Sequence, residues 1–374
     1  EIKAHNFEDI IPLIHGYTNT NIHDENGKTP LYLMIENLQT YRIEETGNQL
    51  HIERLLYIIR RLIQGHQIDK RDNRTPTPLQ TALRYWFQEE RPTSWYGRLF
   101  INWKILTCFL ESGISPYDND LAYYGSLLLK RAVIEGDTNA IHKLIAWNAD
   151  VYAHTHMKAC EDGTTLYAEP DTLLHQAIAN KNVDGARLLA TKFPLFVHTR
   201  ATTRNNMTPL SMAAEQGDVD MVTYLINVGN AHIHNLAGKT PLHYAVTSPQ
   251  TIETLLAYGG DPNALDGNNN TPLHEAATHA DKPSTIHSIY HLVHTPYTKL
   301  TERNNDGKTP LEIMAYRGKY TAVKCMLKHG RIMPDTATLL AATRSGNTGL
   351  VTYLSKEYAT SFKNINPNTA LDTI

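Results

Sequence analysis

Residues 206–233 read NMTPLSMAAEQGDVDMVTYLINVGNAHI. Thr208 can accept a backbone N–H at a helix start, and Pro209 costs nothing in the first turn. Leu210, Ala213 and Ala214 then form a short first helix whose small residues allow close packing. Gly217-Asp218 interrupts it. Val219, Val222, Leu225 and Ile226 recur at helical spacing and predict a second helix. Gly229 ends it near a left-handed position, and a polar turn leads to the next Thr-Pro-Leu. One such helix pair is too small to bury its own apolar face, so neighbouring copies must stack.

The copies are present. Gly27-Lys-Thr-Pro-Leu31, Thr77-Pro-Leu79, Met207-Thr-Pro-Leu210, Gly238-Lys-Thr-Pro-Leu-His243, Asn270-Thr-Pro-Leu-His274 and Gly307-Lys-Thr-Pro-Leu311 are one motif. Weaker copies lie at Thr172-Leu-Leu-His175, at Leu127-Leu-Leu129 and near Thr336. Successive anchors are then 48, 50, 45, 36, 32, 31, 38 and 27 residues apart. Val-Thr-Tyr-Leu at 222–225 recurs at 351–354, which carries the array close to the C-terminus. His175, His243 and His274 share one position in the unit. That recurrence predicts a structural hydrogen bond rather than a metal or catalytic role.

The motif and its period of about 33 residues resemble the ankyrin-repeat family. The resemblance covers nearly the whole chain and is most specific over 171–330. It implies an all-α solenoid of about nine irregular helix-turn-helix units, with long insertions in the N-terminal half. Residues 1–170 read as irregular units and 171–374 as regular ones, forming one continuous elongated array. The resemblance further implies protein binding along a concave face of hairpin tips and first helices. Carried onto this sequence, its contact positions are Arg204, Asn205, Met207, His234, Leu236, Lys239, Asn268, Asn270, Asp306 and Lys308. Asn263, in Leu-Leu-Ala-Tyr-Gly-Gly-Asp-Pro-Asn, resembles the turn asparagine that an oxygen-dependent hydroxylase modifies in ankyrin proteins, although Pro262 replaces the usual Val or Ile.

The first three spacings exceed the period because of insertions near 38–51, 88–102 and 155–170, with a smaller one near 193–203. Insertions in solenoids map to loops and often carry binding. The second insertion and its flanks hold Trp86, Arg91, Trp95, Tyr96 and Arg98, residue types enriched in binding hot spots. From Arg54 to Lys104 ten Lys/Arg face four acids. Three readings stay open: aromatics packing the insertion onto its own unit, a partner-binding patch, or contact with phosphate or stacked bases. The third insertion, a finger, carries His154, His156 and Cys160 beside Glu161 and Asp162. Chelation within one short loop is geometrically demanding, so exposed loop polarity is the expectation and no metal site is assigned.

Composition sets outer bounds. Of 374 residues, 41% are hydrophobic and 20% charged, enough apolar material for a packed core. A formal net charge of −3 excludes a globally basic nucleic-acid coat, so nucleic acid is not the expected partner. Cys108, Cys160 and Cys325 are odd in number and far apart, which excludes a disulfide framework and a CxxC motif. Cys108 and Cys325 sit in apolar helical stretches and read as small core residues. Apolar runs such as Leu127-Leu129 fall far short of a membrane span. The first residue is Glu1 rather than Met, and a piece of a longer chain is the expectation.

No P-loop, dinucleotide fingerprint, HExxH, GxSxG or kinase motif is present, so neither a catalytic residue nor a cofactor is expected. The function expected is a non-catalytic scaffold, a monomer binding a protein of a host cell. Irregular units rich in Asn, His, Tyr and Ile resemble ankyrin proteins that intracellular bacteria deliver into host cytoplasm, with those of large DNA viruses as the nearest competitor. The alternative is a targeting module of a larger enzyme whose catalytic region lies outside this fragment.

Overall fold

A computed structural model describes residues 118–152, 156–159, 166–169, 171–228 and 238–359, with 31, 57, 59–61, 107 and 108 as isolated positions. Backbone contacts divide the chain into two compact units, 1–153 and 154–374.

In the first unit, Leu31, Ile59, Thr107 and Cys108 are helical and buried, where the sequence predicts helices after Thr29, over 52–63 and over 103–110. Helix α1 spans Asp118–Glu135 and α2 spans Thr138–Ala146. The Leu127-Leu-Leu129 anchor therefore lies inside α1 rather than at a helix start. No proline or capping threonine stands there to begin a helix. Gly136, at φ 77°, turns the chain, and Asp137 caps α2 by accepting from the Ala140 N–H at 3.0 Å. Leu128, Leu129, Ala132 and Val133 are buried, as are Ala140, Ile141 and Leu144 of α2.

The second unit begins with a small sheet. Strand β1, His156–Ala159, pairs antiparallel with β2, Leu166–Glu169. Strand β2 runs parallel to β3, Thr199–Ala201. The finger at 155–170 thus contains a β-hairpin tied to the insertion near 193–203. Among the described residues this sheet is the one departure from helical architecture.

Six helix pairs follow: α3 Leu173–Ala179 with α4 Val183–Lys192, α5 Pro209–Gln216 with α6 Val219–Asn227, and α7 Pro241–Tyr244 with α8 Pro249–Ala257. The remaining three are α9 Pro272–Thr278 with α10 Pro283–His294, α11 Pro310–Tyr316 with α12 Tyr320–Gly330, and α13 Thr336–Arg344 with α14 Thr348–Glu357. With α1 and α2 that makes seven pairs among the described residues. First helices pack in one row (α3, α5, α7, α9, α11, α13) and second helices α4 to α12 in another. Leu210, Leu225, Leu242, Leu255, Leu273, Leu292, Met314 and Val323 lie between them with no solvent exposure.

The motif residues do the work assigned to them. Thr172, Thr208, Thr271 and Thr309 cap first helices by accepting from the N–H three residues on, with Pro in the first turn after the last three. Second helices α4, α6 and α14 are capped by Asn182, Asp218 and Asn347. Helix α7 is the short one. Ser248 precedes Pro249 and is driven extended, at φ −123° and ψ 100°, which ends the first helix early and leaves a 3-10 turn over Ala245–Thr247.

Gly217 ends α5 at φ 72°, and a Cβ there would meet the Ser248 side chain at 3.1 Å. Gly217→Ala is expected to lower stability by about 1–2 kcal/mol. A urea midpoint equal to that of the parent chain would refute this.

Candidate protein-binding face

The first helices are joined to one another by buried imidazoles. The Nδ1 atoms of His243 and His274 accept from the N–H of Thr240 and Thr271, each at 3.1 Å. Accepting there fixes the proton on Nε2, which then donates to a main-chain carbonyl of the next unit. His243 donates to Asn270 O at 2.9 Å and His274 to Lys308 O at 3.1 Å. His175 repeats the pattern, with Nδ1 2.7 Å from Thr172 Oγ1 and Nε2 3.2 Å from Met207 O. The acceptor is each time the residue just before the next unit's capping threonine. Burial disfavours the imidazolium and holds all three rings below their usual pKa, His175 at about 4. The structural bond predicted from recurrence is therefore present at all three sites.

Other residues take the histidine's place in the units at 208 and 309. Ser211 takes the place in the unit at 208, and its hydroxyl bonds Thr208 Oγ1 of the same unit at 3.0 Å. Glu312 takes it in the unit at 309 and pairs with Arg303 at 3.0 Å. Arg303 also approaches Asp335, the cap of α13, at 3.6 Å.

The turns ahead of α9 and α11 are interlocked. Asp266 Oδ1 accepts from the N–H groups of Asn268 and Asn270, each at 2.8 Å. Asn304 Oδ1 does the same for Asp306 at 3.1 Å and Lys308 at 3.0 Å. Burial pushes the Asp266 carboxyl up, but the N–H donors of Asn270 and Asn268 outweigh it and hold the group below its usual range. Across the units, Asn305 N donates to Asn268 O at 3.0 Å, and Asn304 Nδ2 to Asn270 Oδ1 at 2.9 Å. Both tips are thereby held by their own backbone and by each other.

The expected contact positions divide accordingly. Asn268, Asp306 and Lys308 are exposed on these tips, and Asn270 is half-buried with its amide engaged. Lys239 pairs with Glu275 at 2.7 Å and lies 5.9 Å from the Tyr244 ring. Arg204 is exposed but bonded to the buried carboxylate of Asp171, and Asn205 beside it adopts φ 52°. Met207 is 6% exposed: its side chain is in the core, and its carbonyl serves His175. His234, Leu236, Trp86, Arg91, Trp95, Tyr96 and Arg98 lie outside the described residues, as do His154, Cys160, Glu161 and Asp162. The amide of Asn263 bridges to the next unit, with Nδ2 donating to Tyr297 O at 2.9 Å and Oδ1 accepting from Lys299 N at 2.7 Å.

The structure adds residues that the sequence reading did not single out. Lys308 Nζ sits 4.9 Å from the ring of Tyr316, which is 52% exposed at the end of α11. Tyr244, Glu275 and Tyr316 all stand on first helices, next to the lysines of the tips. Among the described residues no three metal-ligating groups converge. No helix among them is long and apolar enough to cross a membrane. Cys108 is buried and Cys325 half-buried, with burial raising the Cys325 thiol.

Comparison with known proteins matches residues 129–236 to a family model of three ankyrin repeats, and 237–267 to that of a single ankyrin repeat. The chain is 28% identical over 164 residues to a putative ankyrin repeat protein of fowlpox virus, covering 42% of this chain and 48% of that one. It is 30% identical over 130 residues to the mouse B-cell lymphoma 3 protein homolog, covering 33% of this chain and 29% of the other. With dog inversin it shares 26% over 239 residues, 56% of this chain and 22% of the relative. The chain thus spans about half the length of these relatives or less.

Proposed function

We propose that this chain, an ankyrin-repeat protein, is a scaffold that holds a protein partner across the tips 266–270 and 304–308 and the adjoining surfaces of α9 and α11. Ankyrin repeats are protein-interaction modules, and the interlocked tips carry the more specific assignment. Asn268, Asp306 and Lys308 project from backbone whose conformation is already set by the Asp266 and Asn304 bonds. Ordering a loop on binding costs affinity, so a pre-ordered tip binds more tightly for the same contacts. Tyr316 beside Lys308 supplies an aromatic anchor of the kind that dominates interface energetics. The similarity to a fowlpox virus protein favours a pathogen source, and the proposal adds to it a protein partner in the host cytoplasm. Nothing in this reading asks for chemistry on the partner.

A photo-crosslinking residue placed at Asn268 or Asp306 is expected to give one common adduct mass in host-cell extract. The same probe at Gln250, exposed on α8 in the other row, is expected to give none. Adducts that form equally well from position 250, or at none of the three, would refute the assignment.

A further inference from the structure

We propose that His294 and His329 form a two-histidine site for a divalent transition-metal ion of the zinc class, at the joint between the second helices α10 and α12. The His294 ring carries the argument. Its Nδ1 lies 2.8 Å from the carbonyl oxygen of Tyr290, one turn earlier. A carbonyl can only accept, so Nδ1 bears the proton and the neutral ring keeps a bare lone pair on Nε2. Metal-binding imidazoles are commonly held in this way, with the far N–H on a main-chain carbonyl fixing both the tautomer and the direction of the ring. Tyr290 restrains the ring a second time, its own ring lying 3.9 Å away.

His329 meets His294 across the joint. The two ring centres are 5.1 Å apart, with their planes at 51°. Zinc–imidazole bonds of about 2.0–2.1 Å put an ion about 3.2 Å from each ring centre, so two rings on one tetrahedral ion stand about 5 Å apart. The pair already has the separation that shared coordination needs. Tyr290 also meets the His329 ring edge to face at 5.1 Å, and so steadies both ligands. Among the described residues no hydrogen bond engages Nε2 of His294 or either nitrogen of His329.

Two units earlier the same joint is closed directly. Asn227 lies two residues past Leu225, as His294 lies two past Leu292, and Tyr258 lies three past Leu255, as His329 lies three past Met326. There Asn227 Nδ2 donates to Tyr258 Oη at 2.9 Å. The histidine joint has no such bond among the described residues, and an ion bridges it instead.

The ligands select the ion. Two nitrogens favour Zn2+, Ni2+ or Cu2+ over Mg2+ and Ca2+, which take oxygen ligands. Lys328 and Arg331, exposed on either side of His329, further disfavour a hard cation held by charge alone. No third ligating side chain converges on the pair among the described residues, so water completes the shell and the ion is exchangeable. His294 is exposed and His329 half-buried, which leaves both within reach of solvent. Because the ligands come from different units, the ion favours the folded array over the unfolded chain.

The test titrates the full chain with Zn2+, and separately with Ni2+, in a buffer that does not chelate. The chain has 19 histidines, so the reading is the difference between variants. His294→Gln and His329→Gln should each weaken one site by about tenfold or more. His287→Gln should leave binding unchanged. Nδ1 of His287 is also bonded to its own helix, 3.1 Å from Pro283 O, but among the described residues no second imidazole meets that ring. Zn2+ should raise the urea midpoint of the parent chain more than that of either site variant. On the parent chain itself, Zn2+ should protect His294 and His329, and not His287, from diethyl pyrocarbonate, read on peptides by mass spectrometry. That arm holds even where a variant folds poorly. Equal metal binding in all four chains, an equal loss in His287→Gln, or no protection at His294 and His329 would each overturn the proposal.

Discussion

Lowering the pH from 7 to 5 is expected to destabilise the array of residues 171–357 by about 2 kcal/mol through His175 alone. The folded ring stays neutral until about pH 4, whereas the unfolded chain takes up a proton near 6.5. The contribution is fully present above 6.5 and is drawn down as the pH falls from there toward 4. Below 4 both states are protonated and the loss is complete, at about 3 kcal/mol. His243 and His274 are shifted in the same direction by the same burial and add to the slope. Urea unfolding at fixed pH values should show midpoints flat from pH 8 to 7 and falling from 6.5 downward. Replacing His175 by Gln should flatten part of that fall. A midpoint that holds constant down to pH 4.5 would show that these rings are protonated in the folded chain without penalty.

His274→Ala should cost about 3 kcal/mol, whereas Ser211→Ala at the equivalent position should cost about 1 or less. The difference lies in where each side chain is bonded. His274 ties its own helix start at Thr271 to the main chain of the next unit, and its loss strands buried partners on both sides. The Ser211 hydroxyl bonds only within its unit. Equal losses in the two variants, measured as changes in chemical unfolding midpoint, would mean that the bond between units adds nothing beyond local capping.

Much of this architecture is legible in the sequence because each unit declares its helix starts. Thr-Pro-Leu places a cap, a first-turn proline and a core residue in three letters, and the helices at 209, 241, 272 and 310 begin there. The histidine role was legible from recurrence alone. Three features were not. Helix α1 runs continuously from Asp118 through the Leu127 anchor, because apolar residues without a cap specify a buried face but no starting point. The expected contact at Met207 faces the core, since position in a repeat does not reveal whether a turn leaves room for the side chain or closes over it. The clamp of Asn263 on Tyr297 joins loops 34 residues apart, and no local pattern encodes a partnership of that range.

The buried imidazoles bear on how such a chain can grow. Each donates to the residue before the next threonine, and that residue is Met207, Asn270 or Lys308. Three unrelated side chains serve because only the carbonyl is used. A duplicated unit inserted at any of these junctions meets a ready acceptor, whatever its sequence. Length can therefore change by gene duplication or loss without a matching change in the neighbour, leaving the surface residues to diverge independently of the joints.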